Sequence, residues 1–155
     1  MDTSRKLLVF TLEDQRYAVA LSSVEKVIRC VEVSPLPKAP EIVYGIINMQ
    51  GTIVPVFNLR KRFRLPEREI DIGDQMVVAK TAGRTVSFGV DAVEGVIEWP
   101  RGKIVPHEKI HPEMQYVEGV IKLADGMVLI HGLDRFLSLD EKKKLDNALE
   151  KAGPG

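Results

Sequence analysis

The feature of this sequence that most constrains its fold is an internal repeat of β-like segments. The segment Arg16–Ile28 is matched without a gap by Thr85–Ile97, 69 positions later. The identical pairs are Val24 and Val93, Glu25 and Glu94, Val27 and Val96, and Ile28 and Ile97. Both copies contain alternating apolar residues, which is typical of β-strands with one buried face. The chain is therefore predicted to contain two structurally related β units.

Two further segments repeat in the same order at a slightly larger offset. Val43–Ile47 matches Val117–Ile121, 74 positions later, and a glycine, Gly51 or Gly126, begins the next strand in each case. Glycine at such places favours bulges or tight corners. Together the two repeats predict two related β units of about five strands each, closed into small barrels.

Strands are predicted along most of the chain, and a helix only at its C-terminus. The predicted strands are Leu7–Glu13, Arg16–Leu21, Val24–Val31, Ile42–Met49, Thr52–Phe57, Met76–Lys80, Thr85–Val90, Val93–Trp99, Tyr116–Leu123 and Met127–His131. The polar segment 60–74 has no apolar period and is predicted to be a surface loop. Ser138 and Glu141 form a capping box, which predicts a helix over residues 138–151.

Length and composition favour one soluble domain. A chain of 155 residues has the length of a single domain. We divide it into halves at about residues 7–74 and 75–137, and exchange of strands between the halves is left open. The 22 Lys and Arg balance the 22 Asp and Glu, so the charge predicts neither nucleic-acid binding nor attraction to an anionic membrane.

Cysteine usage and hydropathy predict the cellular compartment. The single cysteine, Cys30, cannot form an internal disulfide, the cross-link that usually stabilises small secreted domains. No apolar run reaches the ~18–20 residues of a membrane span, and no signal-peptide core follows the polar N-terminus. We expect a cytoplasmic protein that does not insert into a membrane.

One long segment is more specific than the strand pattern. Residues 40–60 read PEIVYGIINMQGTIVPVFNLR, which closely resembles the signature of CheW-like domains. Further matches are Val90–Val93, Ile104–Pro106 and Tyr116–Gly119. The resemblance extends from about Leu7 to Leu137, in the order of the family's own segments.

The resemblance implies both a fold and a function. The implied fold is mainly β, with two intertwined five-stranded SH3-like barrels and, in this chain, a C-terminal helix. The implied function is a chemotaxis adaptor without catalysis and without a cofactor. Such an adaptor links the cytoplasmic tips of methyl-accepting chemoreceptors to the regulatory domain of the histidine kinase CheA, and it reaches membrane receptor arrays through these partners.

An adaptor of this kind needs exposed apolar side chains with a polar rim, because burial supplies affinity and charge supplies selectivity. A groove between two barrels suits an apolar stripe of a receptor helix. The predicted partner-binding residues are Val24, Lys26, Val27, Ile28, Gly45, Asn48, Gln50 and Gly51. The alternative is that the apolar residues are simply core and that the glycines serve backbone geometry.

Two of these residues depart from the family pattern. The chain has Met49-Gln50-Gly51 where the family has Leu-Arg-Gly, and Lys26 where the family commonly has glutamate. A smaller departure is Asn58 in place of aspartate. Because the two opposite charges are lost together, we infer that the positions act as a unit and that this adaptor serves a divergent chemosensory array. Neutral surface drift is the alternative.

A second class of function, zinc-dependent hydrolysis, is suggested by one short motif. His107-Glu108-Lys109-Ile110-His111 matches H-E-x-x-H, and His131 is the one other histidine. The motif needs both histidines on one face of a helix. Pro106 and Pro112 enclose it, so a helix there would be little more than one turn. The sequence therefore favours a solvated loop over a metal site.

A nucleic-acid-binding barrel is the third class. Its basis is a basic cluster formed by Arg60, Lys61, Arg62 and Arg64. Acidic residues follow within the same segment, among them Asp71 and Asp74, which are expected to be solvated with ordinary pKa values. Few aromatic residues are available for base stacking, so we predict a mixed surface and no nucleic-acid partner.

Overall fold

The computed structural model describes residues 3–71, 73–81, 83–106 and 117–151. Its strands are β1 (Ser4–Leu12), β2 (Gln15–Ala20), β3 (Val24–Arg29), β4 (Val43–Met49), β5 (Thr52–Phe57), β6 (Gln75–Lys80), β7 (Thr85–Val90), β8 (Ala92–Pro100), β9 (Val105–Pro106), β10 (Val117–Leu123) and β11 (Gly126–His131). Its α-helices are α1 (Leu59–Arg62) and α2 (Leu139–Lys151). The predicted mainly β fold with a C-terminal helix is confirmed.

The strands form two sheets that exchange hairpins. Sheet A has the order β8-β1-β2-β11-β10-β9, and sheet B has the order β3-β6-β7-β5-β4. The β1–β2 hairpin thus lies among strands of the second half, and the β6–β7 hairpin lies among strands of the first half. Neighbouring strands are antiparallel, except that β2–β11 and β5–β7 are parallel. Closure of each sheet into a barrel stays a prediction.

The internal repeat of the sequence relates the two sheets strand by strand. Replacing β3, β6, β7, β5 and β4 by β8, β1, β2, β11 and β10 converts the order of sheet B into that of the first five strands of sheet A, and β9 is the additional edge strand. The register agrees, because Ile28 pairs with Met76 in sheet B, and Ile97 pairs with Leu7 in sheet A. We call two residues related in this way counterparts.

Three apolar clusters form the core. The central cluster contains buried residues of both sheets, among them Phe10 and Phe88, and therefore joins the sheets. The sheet A cluster and the sheet B cluster each lie within one sheet. Counterpart residues of these two smaller clusters are Ile121 and Ile47, Val128 and Val54, and Ile130 and Val56. Burial of the apolar face of each strand is the main source of stability.

Bulges lie beside the glycines of β4 and β10, as the sequence predicts. The register of β4 shifts between Val43 and Gly45, and that of β10 shifts between Val117 and Gly119. A Cβ atom added at Gly45 would overlap the carbonyl O of Ser34, whose residue bridges to Ile46. These glycines let a neighbouring backbone segment approach closely.

The helix α2 begins at the predicted capping box. The backbone N–H of Glu141 donates to Ser138 Oγ at 3.1 Å, and the backbone N–H of Ser138 donates to Glu141 Oε1 at 2.9 Å. The buried residues Leu145 and Ala148 attach the helix to the central cluster. Neither described helix has the length and apolar character needed to cross a membrane.

Candidate functional site

All of the predicted partner-binding residues lie on sheet B. Four of them, Val24, Lys26, Val27 and Ile28, lie on β3; Gly45 and Asn48 lie on β4, and Gln50 and Gly51 form the β4–β5 turn. In the hydrogen-bonded order, β3 and β4 are the two edge strands of this sheet. The candidates therefore occupy both edges of one sheet, together with an adjoining hairpin turn.

On β3 the apolar candidates divide between two clusters. Val24 and Val27 are half-buried against the central cluster, whereas Ile28 is half-buried against the sheet B cluster. Lys26 is exposed, and the neighbouring Glu25 forms an ion pair of 3.2 Å with Lys80. The three apolar side chains thus contribute to packing while part of their surface remains accessible, which combines the two interpretations made from the sequence.

The β4–β5 turn is an exposed two-residue hairpin loop. Gln50 has φ 53° and Gly51 has φ 91°, and Met49 pairs with Thr52 across the loop. Positive φ at both loop residues matches the right-handed twist of the strands. The backbone N–H of Gly51 donates to Asn48 Oδ1 at 2.8 Å, which fixes the turn. The turn therefore presents the Gln50 side chain to solvent in one backbone conformation.

The structure assigns a packing role to Gly45 and leaves Lys26 and Gln50 unconnected. Gly45 is buried beneath Ser34, so close approach of the chain itself accounts for the absence of a side chain there. Within the described ranges, no hydrogen bond joins Lys26 to Gln50. The hypothesis that these two positions act as a unit stays a prediction.

An ion cluster around a buried arginine lies where the sequence predicts a surface loop. Arg60, in α1, is only 7% exposed, and its guanidinium donates to carboxylates of Glu13 and Asp91 and to the carbonyl O of Pro66 at 3.2 Å. Glu13 lies in the β1–β2 turn of sheet A, and Asp91 joins β7 of sheet B to β8 of sheet A. The surface-loop prediction is wrong for Arg60, because a guanidinium with several carboxylate and carbonyl acceptors can be buried.

Arg68 extends the ion cluster. It donates to both carboxylate oxygens of Asp74 at 2.9 Å and to Asp91 at 2.7 Å. The hydrogen bonds from Arg68 lower the pKa of Asp74, so the expectation of an ordinary pKa there is wrong. Burial alone would raise the pKa of Asp91, but bonds from Arg60, Arg68 and the backbone N–H of Glu13 lower it below its ordinary value.

Asn58 explains one departure from the family pattern. Its side-chain Oδ1 accepts from the backbone N–H of Lys61 at 3.0 Å and so caps α1. Its side-chain amide donates to Glu67 Oε1 at 3.1 Å. Aspartate at this position would keep the cap but would place a second carboxylate beside Glu67.

The basic cluster proposed for nucleic acid is largely engaged within the chain. Arg62 donates to both carboxylate oxygens of Glu141 at 2.6 and 2.7 Å, and Lys61 lies 3.6 Å from Glu41. The guanidinium groups of Arg60 and Arg62 therefore bind acidic residues of the chain itself. The arrangement differs from a row of exposed cations that neutralises phosphates.

His131 is surrounded by aromatic rings. Its ring packs edge-on against Phe63 and Phe136, at centroid distances of 5.2 and 5.0 Å. Burial, with a smaller contribution from Arg62, lowers the pKa of His131 to about 3. In the described part of the chain, no group of three or more His, Cys, Asp and Glu residues is arranged to hold a metal ion. The motif His107–His111 lies outside the described residues.

Comparison with known proteins agrees with this architecture. The profile described as "CheW-like domain" matches residues 6–141. The Chemotaxis protein CheW of Treponema pallidum is 25% identical over 94% of this chain and 89% of its own length. The Chemotaxis protein CheW of Thermotoga maritima is 35% identical over 59% of this chain and 60% of its own length.

A solved structure resembles the whole fold. The crystal structure of the scaffolding protein TtCheW from Thermoanaerobacter tengcongensis has a TM-score of 0.79 and 30% identity to this chain. The match covers 88% of this chain and 94% of that protein. Both the sequence profile and the arrangement of the sheets thus lead to one assignment: the chain belongs to the family of CheW-like domains.

Proposed function

We propose that this protein is a non-catalytic chemotaxis adaptor that couples chemoreceptors to the histidine kinase CheA in the cytoplasm. The observation that carries the proposal is the family match over residues 6–141. The resemblance to a scaffolding protein at a TM-score of 0.79 supports it. Relatives named as chemotaxis proteins, which match 94% and 59% of this chain, support a role in chemotaxis.

The partner-binding surface that we propose is formed by β3 and the β4–β5 turn. Edge strands leave one row of backbone groups unpaired, and β3 combines such an edge with half-buried apolar side chains. Lys26, on the β3 edge, and Gln50, in the turn at the β4 edge, add exposed polar groups that form the rim at each edge of the sheet. Burial of the valines on contact supplies affinity, and the rim selects among partners.

The test is a calorimetric titration of this protein with the regulatory domain of a CheA kinase from the same organism. We expect saturable one-to-one binding at about 1 μM or tighter, which corresponds to ~8 kcal/mol. Binding to the receptor partner is measured separately, by co-sedimentation with membranes that contain a chemoreceptor. A folded sample that binds no kinase paralogue would overturn the kinase-coupling role.

A double substitution tests the two departures from the family pattern. Lys26→Glu with Gln50→Arg introduces the charges that the family commonly has, and we expect it to change the affinity for kinase or receptor at least fivefold. The matched control is Ala124→Arg, which adds the same cation to the β10–β11 turn of sheet A. Equal affinities for the double variant, the control and the unchanged protein would indicate neutral drift at positions 26 and 50.

A further inference from the structure

The repeat contains one large difference in side-chain volume. Continued by two residues beyond Ile28, it places Cys30 opposite Trp99. Hydrogen bonding supports this correspondence. Trp99 pairs with Arg5 in sheet A, and in sheet B the backbone N–H of Cys30 donates to the carbonyl O of Asp74, the counterpart of Arg5, at 3.0 Å. Cys30 therefore occupies the position in sheet B that Trp99 occupies in sheet A.

Trp99 and Cys30 each lie at the end of one of the two smaller apolar clusters. Trp99 packs on the sheet A cluster together with Ile104 and Leu123. Cys30 belongs to the sheet B cluster, on which Val33 and Met49 pack. A tryptophan side chain buries on the order of 200 Å² of surface when it packs, far more than a cysteine side chain does. Sheet B thus lacks the large ring that covers the end of the corresponding cluster in sheet A.

A groove lies where this ring is missing. It has a volume of about 400 Å³ and is lined by Cys30, Val31, Glu32, Val33, Tyr44, Ile70 and Asp71. Val31 is 46% exposed and adds apolar surface to the mouth of the groove. The groove therefore offers apolar surface to solvent at the site where the counterpart half has its own indole.

Hydrogen bonds hold the walls of the groove in place. The backbone N–H of Ile70 donates to the Tyr44 hydroxyl at 3.4 Å, and the backbone N–H of Cys30 donates to Asp74 at 3.0 Å. Burial raises the pKa of the Cys30 thiol, so the floor of the groove remains uncharged. A preformed apolar site of this kind binds a ring without a large ordering cost.

The rim of the groove is acidic. Glu32 and Asp71 are exposed, and no ion pair engages their carboxylates within the described part of the chain. The nearby guanidinium of Arg68 is engaged by Asp74 and Asp91. The net charge at the rim therefore complements a basic segment and opposes an acidic one.

We propose that this groove binds a tryptophan side chain of a partner protein, presented on an exposed segment in which lysine or arginine flanks the aromatic residue. The indole takes the place that Trp99 occupies in sheet A, and the flanking cations face Glu32 and Asp71. The proposal goes beyond the adaptor function, since it specifies the chemistry of a segment and does not require the kinase or the receptor to supply it.

The test is an NMR titration of the isotope-labelled full chain with the peptide acetyl-Lys-Trp-Lys-amide. We expect saturable shifts at the backbone amides of Val31, Val33, Tyr44 and Ile70. Acetyl-Glu-Trp-Glu-amide is expected to bind at least tenfold more weakly at low salt, and acetyl-Lys-Ala-Lys-amide is expected not to saturate. Equal shifts with the tryptophan and alanine peptides would overturn the proposal.

Two variants complete the test. Cys30→Trp fills the groove from within, as Trp99 does in sheet A, and is expected to weaken peptide binding at least tenfold, whereas Cys30→Ala retains it. The double variant Glu32→Lys with Asp71→Lys changes only exposed residues and is expected to reverse the preference between the two tryptophan peptides. A folded Cys30→Trp protein with unchanged affinity, or an unchanged preference in the double variant, would contradict the proposal. Kinase titration of the same samples reports on the adaptor function independently.

Discussion

The chain crosses between its two sheets at counterpart positions, and the two crossovers are built differently. After β2, the short 3-10 turn Leu21–Ser23 leads to β3. This crossover lies beside an open pocket of about 690 Å³, whose lining includes Arg5 and Lys6. After β7, Asp91 leads to β8 and is enclosed by Arg60 and Arg68. The repeat of the strands thus does not extend to the side chains that surround the crossovers.

This difference indicates where the two sheets are held together. The ion cluster around Arg60 joins the β1–β2 turn of sheet A to α1, which follows sheet B. The first crossover has a polar surface that is open to solvent. We therefore expect substitutions at the second crossover to affect the stability of the whole domain, and matched substitutions at the first to have small effects.

The largest effect is expected for Arg60→Ala. It removes the buried guanidinium that joins the carboxylates of Glu13 and Asp91, and only Asp91 keeps a cation, Arg68; because both carboxylates are partly exposed to water, we expect a cost of about 2–4 kcal/mol in the free energy of unfolding. Urea denaturation measures this change. The matched control at the first crossover, Ser22→Ala, is expected to stay within about 0.5 kcal/mol. Similar costs for the two variants would remove the distinction between the crossovers.

The next effect concerns His131, the last residue of β11, and its counterpart Phe57, the last residue of β5. The pKa of His131 is about 3 in the folded protein and about 6.5 in the unfolded chain. As the pH falls from 6.5 toward 3, the unfolded chain takes up a proton that the folded state excludes. This histidine therefore lowers stability by roughly 2–3 kcal/mol at pH 4.5 relative to pH 7.

His131→Phe is expected to remove this part of the pH dependence, and Phe57→His is expected to add a similar part to sheet B. Urea denaturation of the three proteins between pH 4.5 and pH 7 tests both expectations. Parallel stability profiles for the unchanged protein and His131→Phe would show that the histidine does not contribute.

Substitution of the counterpart glycines Gly45 and Gly119 tests a position at which the two halves have the same bulge. A Cβ atom at Gly119 would lie 2.7 Å from Ile104 Cγ2 and 3.0 Å from the carbonyl O of Val105, whereas one at Gly45 would overlap the carbonyl O of Ser34 outright. We expect both alanine variants to cost about 1–3 kcal/mol, with the larger cost at Gly45. Thermal unfolding measures the ranking. Gly102→Ala is the control, because its Cβ would meet no atom within 4 Å.

The smallest effect is expected in the hairpin turns. Gln50 has φ 53°, a conformation that asparagine tolerates better than glutamine, so Gln50→Asn is expected to stabilise the protein by about 0.5–1 kcal/mol. Ala124→Asn, in the β10–β11 turn, is the matched control and is expected to be neutral, since Ala124 has no positive φ. A destabilised but folded Gln50→Asn variant would show that the glutamine side chain itself supports the turn.

The sequence by itself determined which segments form strands, where the helix begins and how the two halves correspond. The prediction of β5 at Thr52–Phe57 and that of the capping box at Ser138 and Glu141 are confirmed in the structure. These features depend on neighbouring residues, such as a two-residue alternation, a glycine beside a bulge or a side chain that caps its own helix. Local rules are therefore sufficient to predict them.

Only the tertiary structure decided which sheet each hairpin joins and which polar side chains are buried. Arg60 appears in a charged segment of the sequence, but its acidic partners Glu13 and Asp91 are 47 and 31 residues away. The groove beside Cys30 likewise depends on the loop that contains Ile70. Burial and charge pairing depend on the packing of distant strands, and a pattern of neighbouring residues contains no measure of those distances.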